Sequence, residues 1–142
     1  MATLSDAITA GASALSVQRT RIEVAVSNIA NAESTRSSDG QPYRRRNVVL
    51  ASDPIQSFDD ALGGAKATGV KVAGIVEDQT PFKRRYEPGH PDADADGFVA
   101  IPNIDAPEEM VDMLGAARAY QANLAAIGLI KDVVNKALEL GR

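Results

Sequence analysis

The sequence predicts an α+β chain, in which the two ends form an antiparallel N-/C-terminal helical coiled-coil domain and the middle forms a small antiparallel β domain. Two observations predict it. Apolar residues recur at alternating spacings of four and three in both terminal segments, the 3.5-residue period of helices that bury one stripe against each other. Between them that period vanishes, and short β-branched runs are separated by Gly, Pro and Asp clusters, which favours strands joined by turns over βαβ units.

The first stripe runs Leu4, Ile8, Gly11, Leu15, Gln18, Ile22, Ala25 and Ile29. Thr3 is placed to cap this helix, with Asp6 adding negative charge to the first turn, and the helix is expected to end near residues 28–30. Residues 31–40 are turn formers and read as a loop. Strands are expected over 43–51, 70–76, 82–86 and 98–101. Residues 52–69 are polar and Gly-rich and read as a flexible loop with at most a short helical turn at 58–62. The last stripe runs Met110, Met113, Ala117, Tyr120, Leu124, Ile127, Lys131, Val134 and Leu138. Asp105 is the expected cap, Pro107 lies in the first turn, Glu108 stands at the capping-box position and Gly141 where a C-cap glycine would. Residues 1–32 and 104–142 are thereby assigned to the helical domain and 33–103 to the β-rich middle.

A two-helix hairpin covers one stripe on each helix, and this chain has apolar residues to spare. Val17, Val24 and Val26 in the first helix, and Val111, Leu114, Leu129, Ile130 and Val133 in the last, fall outside the chosen frames. In a lone chain they would be exposed, and exposed apolar faces mark interfaces. Small residues (Ala7, Ala10, Gly11, Ala14, Ala116, Ala117 and Ala119) would let further helices approach closely. The middle segment has little core material of its own, since the whole chain has three Phe, three Tyr and no Trp. It must pack on the helices or be completed by neighbours.

Other function classes find little support. The net charge of −4 gives no general attraction to nucleic acid or anionic lipid. The basic clusters at Arg44–Arg46 and Lys83–Arg85 sit in strand-like runs and read as solvated or subunit-facing positions, with Tyr43 and Tyr86 the only aromatics nearby for stacking on bases. There is no Cys, hence no disulfide or thiolate chemistry. The first fifteen residues lack the basic and apolar regions of a secretory signal, and no apolar run approaches a membrane span.

The sharpest chemical lure is Asp92, Asp94 and Asp96 followed by Gly97, which matches the first half of a calcium-binding EF-hand loop. The second half fails, because the position for a bidentate Glu holds Asn103. The lone His90, between Gly89 and Pro91, reads as structural, and no zinc cluster or GxSxG elbow accompanies it. Gly63, Gly64 and Gly69 form no phosphate-binding fingerprint. No catalytic residue, cofactor site or metal site is assigned. Asn28, Asn31 and Asn123 lie near the seams and read first as caps or solvated positions. The alternative is that they fix register, as a buried Asn can in a coiled coil.

Two runs carry a resemblance. Ser27, Asn28, Ile29, Ala30, Asn31 and Ala32 resemble the SNIANA signature of the bacterial flagellar rod and hook axial proteins. Residues 109–123, with Glu109, Met110, Arg118, Tyr120 and Asn123, look like that family's C-terminal signature. The middle, notably 77–81, 86–94 and 96–103, is similar to one rod member. The resemblance spans nearly the whole chain in the right order. It departs after the first signature, where Glu33, Ser34 and Thr35 replace the more usual Asn or Asp then Thr, so that turn is not transferred, nor is anything over 52–69.

The resemblance implies a structural subunit of the basal-body proximal rod, exported through the flagellar type III apparatus without signal cleavage. It implies helical assembly in the periplasm around a channel, with the terminal helices innermost. The implied partners are copies of itself, other rod proteins and components of the MS ring and export gate, with no nucleic acid and no membrane insertion. The seam residues expected to serve assembly are Leu4, Ile8, Leu15, Ile22, Ile29, Met110, Met113, Tyr120, Leu124, Ile127, Val134 and Leu138. Before assembly, helices without partners are expected to be partly disordered. The rival readings are a paralogue of the same rod or hook and, in a different class, a small calcium-binding adaptor; an enzyme is the remotest.

Overall fold

The computed structural model describes residues 4–37, 40–55 and 68–141. Its elements are α1 (Leu4–Ala30), β1 (Arg46–Pro54), β2 (Thr68–Glu77), β3 (Lys83–Tyr86), β4 (Phe98–Ile101) and α2 (Ala106–Leu140). The α+β expectation holds. Two long helices enclose two small antiparallel sheets in the sequence, β1 with β2 and β3 with β4.

The helices pair antiparallel. Asn28, near the end of α1, bonds Glu109 at the start of α2, and Gly11 faces Ile127, where an added Cβ would lie 2.9 Å from the Ile127 side chain. This register sets Leu4 level with Val134, so the C-terminal turns of α2 run on past the first described turn of α1.

The α1 frame read from the sequence is buried or half-buried except at Leu4, which is exposed, and its Gly11 and Ile22 lie against Ile127 and Tyr120 of α2. The α2 frame needs a correction. Met113, Tyr120, Ile127 and Val134 are at least half-buried, but the positions that alternate with them are Glu109, Ala116, Asn123 and Ile130, not Met110, Ala117, Leu124, Lys131 and Leu138. The sequence frame maximised hydrophobicity. The structure instead turns Glu109 inward, where Asn28 and Arg45 partner it, and this brings Asn123 to the seam side and rotates Met110, Leu124 and Leu138 out to solvent.

The β1–β2 hairpin is splinted along α1. Asn28 holds both backbone groups of Arg46, and the Ser13 hydroxyl accepts the Val70 N–H at 3.2 Å. From Asn28 to Ser13 the helix advances about 22 Å. From Arg46 to Ser52, the partner of Val70, the strand advances about 20 Å. The two rises match, so one hairpin can lie against four turns of helix. The middle segment therefore does pack on a helix. Val17 is 2% exposed and lies on the face of α1 between Ser13 and Val24; Val24 borders β1 beside Val48. Of the three α1 valines expected to be surplus, only Val26 remains exposed.

Gly69 makes this contact possible, since a Cβ there would stand 2.7 Å from the Ser13 hydroxyl oxygen. Gly69→Ala is expected to displace Ser13 and lose its bond to Val70, costing about 1 kcal/mol or slightly more. A thermal melt shifted down by several degrees is the expected result, and Ser13→Ala should remove most of the difference between the two.

The remaining differences have local causes. The first strand begins at Arg46, not at residue 43, because Asn28 fixes the chain there. Both hairpin strands extend into the expected 52–69 loop, to Pro54 and back to Thr68. A helical turn at 58–62 and a cap at Thr3 lie outside the described residues. Asp105 makes no side-chain cap bond: Pro107, one of the two residues whose N–H a cap would bind, has none. Its carbonyl instead receives the Glu109 N–H at 3.0 Å. Gly141 takes φ −90°, so α2 does not end in the left-handed glycine cap that the sequence suggested.

Candidate assembly surface

The apolar core is thin. Val17, Ala25, Val99, Ile104 and Ala116 are its buried hydrophobic members among the described residues. What ties the elements together at one end is polar. Asn28, 1% exposed, makes four bonds. Its amide nitrogen donates to the Arg46 carbonyl and to Glu109 Oε2, both at 2.9 Å. Its oxygen accepts the Arg46 N–H at 3.0 Å and the Tyr43 hydroxyl at 3.1 Å. The Ser27 hydroxyl, 3.2 Å from that of Tyr43, extends the chain of bonds. Glu109, 3% exposed, takes the Arg45 Nε at 2.6 Å on its other oxygen.

Arg45 closes the junction, with Glu108 and Asp112 at 3.6 and 3.9 Å. Burial pulls its guanidinium pKa down, but the bond to Glu109, the charge of Glu109 and then those of Glu108 and Asp112 outweigh it and hold it above the ordinary arginine value. Asn28 of α1, Glu109 of α2, the side chains of Tyr43 and Arg45 ahead of β1 and the backbone of Arg46 thus satisfy one another. This overturns the first reading of Asn28 as a cap or solvated position: it fixes register, through a fully paired buried network.

The other signature residues divide by role. Asn31 donates to the Ser27 carbonyl at 2.8 Å and closes the end of α1, as a cap should. Asn123 bonds back to the Ala119 carbonyl at 2.9 Å within its own helix. Ile29 is half-buried and Ala30 exposed. Tyr120 lies beside Arg19, Ile22 and Glu23 of α1. Met110 and Arg118 point outward. Of the seam residues, Ile8, Leu15, Ile22, Ile29, Met113, Tyr120, Ile127 and Val134 are half-buried, while Leu4, Met110, Leu124 and Leu138 are exposed.

The basic clusters are employed inside the chain. Arg44 lies 4.5 Å over the Phe82 ring and donates to the Asp78 carbonyl. Arg46 pairs with Glu77, Arg84 with Asp94, and Arg85 with Glu87. The acidic loop is employed likewise. Asp92 takes Arg36 at 2.7 Å and the Thr35 hydroxyl at 2.8 Å. Asp94 folds the turn before β4 by accepting the N–H groups of Asp96 and Phe98. The Phe98 bond, against a smaller opposing effect of burial and helped by Arg84, holds the Asp94 carboxyl below the usual range. His90 accepts the Asp92 N–H, a local loop bond. No cluster of three or more potential metal ligands occurs among the described residues, and none of their helices is long and apolar enough to cross a membrane.

Two apolar surfaces remain uncovered. The hairpin exposes Val49, Leu50, Ile75 and Val76. On α2, Val111, Leu114, Leu129, Val133 and Leu140 are exposed, Leu129 at 67% and Leu140 at 90%. Ile130, expected among this surplus, is instead half-buried in the seam. Sequence reasoning missed Tyr43 and Arg45 as parts of the junction. The only available hint was that an Asn and a Glu stood inside otherwise apolar helical runs and would each need partners.

Residues 95–140 match the family described as flagellar basal body rod FlgEFG protein C-terminal. The chain is 46% identical over 130 residues to the flagellar basal-body rod protein FlgC of Salmonella typhimurium, covering 92% of each. It is 43% identical over 141 residues to that of Bacillus subtilis, covering 92% of this chain and 93% of the relative. It is 39% identical over 147 residues to that of Borreliella burgdorferi, covering 96% and 97%.

Proposed function

The chain belongs to the FlgC family of flagellar basal-body rod proteins, and from this membership we propose that the uncovered face of α2 is where it joins its neighbours in the rod. It is a structural component of the bacterial flagellar basal-body rod. The finer reading is that it sits in the proximal rod, assembles helically with copies of itself and other rod proteins, and helps to transmit torque. In that reading residues 1–32 and 104–142 form the inner, channel-side helical domain and 33–103 lie outside it. The MS ring and export gate are further neighbours, and export proceeds without a cleaved signal.

One observation carries the proposal: α2 exposes large apolar side chains near both ends of the side turned away from α1, Val111 and Leu114 near its start and Leu129, Val133 and Leu140 near its end. A rod under torque needs contacts that do not slip. Exposed ion pairs contribute about 0–1 kcal/mol each and weaken with salt, whereas burying one leucine contributes roughly 1.5–3 kcal/mol. Several such side chains together outweigh a similar number of surface ion pairs and leave a margin against the cost of association.

Leu129→Asp is the test. Leu129 is 67% exposed, so the isolated protein should melt within about 0.5 kcal/mol of the parent. Cells carrying the variant should lose motility and build no rod past the point where this subunit enters. Full motility with normal basal bodies would show that this face is not an assembly contact.

A further inference from the structure

Two different partners grip α1. Its seam with α2 runs along one stripe, and the β1–β2 hairpin lies along another. At 100° per residue, Ser13, Val17, Val24 and Asn28 fall within about 60° of one another on the helix surface. These residues meet the hairpin. Ser13 takes the Val70 N–H, Asn28 holds both backbone groups of Arg46, Val24 stands beside Val48, and Val17 is buried between them. Among the described residues the hairpin packs on no other element: β1 and β2 lie against each other and α1, and come close to none of α2, β3 and β4. A two-stranded sheet is marginally stable in water by itself, so this one takes its order from the helix.

Asn28 bonds to both sides at once. It holds Arg46 at the base of the hairpin, and its amide nitrogen also donates to Glu109 Oε2 at the start of α2. The side chain is 1% exposed, where an unpaired amide is costly. It is fully paired only when the hairpin is docked and α2 is in register.

We infer that the β1–β2 hairpin is a strap that docks along α1 only when α1 and α2 are paired, with Asn28 coupling the two events. In the closed state the strap, the helix seam and Asn28 satisfy one another. In the open state the Ser13–Asn28 stripe no longer exists as a face, and the hairpin is released. Both events bias the same two-state element, which is what coupling requires. Val49, Leu50, Ile75 and Val76, all exposed, ride on the strap. A chain with paired helices holds this apolar surface in a fixed place, and a chain with open helices does not. Helices that are incompletely ordered before assembly therefore leave the hairpin undocked, and their pairing sets a surface on the middle segment. The device lies inside the subunit and does not depend on where α2 meets its neighbours.

Ser13 and Gly69 supply the test. A Cβ added at Gly69 would lie 3.5 Å from the Ser13 Cβ, a separation that a disulfide spans, and the chain has no Cys to compete. Ser13→Cys with Gly69→Cys in the full chain should close a bond within the chain on mild oxidation and fix the hairpin to α1. Hydrogen exchange then compares the oxidised and reduced forms, at a urea concentration where the reduced form exchanges measurably. Oxidation should slow exchange about tenfold in α1 and in residues 106–120 of α2, and leave β3 and β4 unchanged. Adding Asn28→Ala should keep the slowing in α1 but cut that in α2 to below about threefold. Failure to form the bond, a bond that leaves α1 unchanged, equal slowing in β3 and β4, or slowing in α2 as large without Asn28 as with it would each overturn the inference. Exchange in solution is separate from rod assembly in cells, so either reading can fail alone.

Discussion

Replacing Asn28 by Ala is expected to cost about 2–4 kcal/mol of folding stability, a large share of what a chain with so thin a core can have. Four groups lose a partner together: the Arg46 N–H, the Arg46 carbonyl, the Tyr43 hydroxyl and Glu109 Oε2. The simple sum of four buried unsatisfied groups would be larger. A cleft lined by Arg21, Asn28, Arg46 and Glu109 adjoins the site, so water can reach some of the vacated positions and soften the loss. Asn28→Asp should be worse than its small change in shape suggests. It cannot donate to Glu109 Oε2, and it sets a second carboxylate where an amide nitrogen stood 2.9 Å away. Urea unfolding measures both. A midpoint shift worth less than about 1 kcal/mol for Asn28→Ala would mean that the network is ornamental.

Glu109→Ala is expected to cost about 3–5 kcal/mol, the range for removing one partner of a buried pair and leaving the other charge behind. Arg45 loses its 2.6 Å contact, but Glu108 and Asp112 remain within 4 Å, which places the expectation at the lower end. Glu109→Gln should be milder, because its amide oxygen can still accept from Asn28 while the charge that holds Arg45 is gone. The informative measurement is the double-mutant cycle. Asn28 and Glu109 share a bond and a network, so their losses should fall short of additivity by about 1 kcal/mol or more. Strict additivity would show that the two signatures act separately. Both variants should also reduce motility, because a subunit whose helices part at this end cannot hold the α2 face in place.

The two signatures were legible as runs, but not as a single site. SNIANA and the run from Glu109 lie some eighty residues apart. Nothing in their spacing says that the Asn of one meets the Glu of the other, because long-range pairing depends on the register of two helices. The α1 frame could be read because its apolar residues fit one stripe whose only polar member is Gln18. The α2 frame was misread because two frames share Met113, Tyr120, Ile127 and Val134, and counting apolar residues selects the one that leaves Glu109 outside. Hydrophobic period alone cannot price a buried carboxylate, since its cost depends on whether partners exist. The same limit applied to Val17: it counted as surplus while only one partner helix was considered, and the hairpin turned out to be a second.

Local pattern along the chain is enough to establish that both ends are long helices with a heptad stripe, that the middle makes antiparallel strands, and that more apolar surface exists than a helical hairpin can hide. These follow from local periods of 3.5 and 2 and from turn residues, which act over a few positions along the chain. Which face of α2 is inward, which valines lie beneath the hairpin, and that Asn28, Arg45 and Glu109 satisfy one another emerge from the packing of the folded chain. Those outcomes are set where three distant segments meet, because a polar group can be buried only if its partner is delivered by another segment at hydrogen-bond distance.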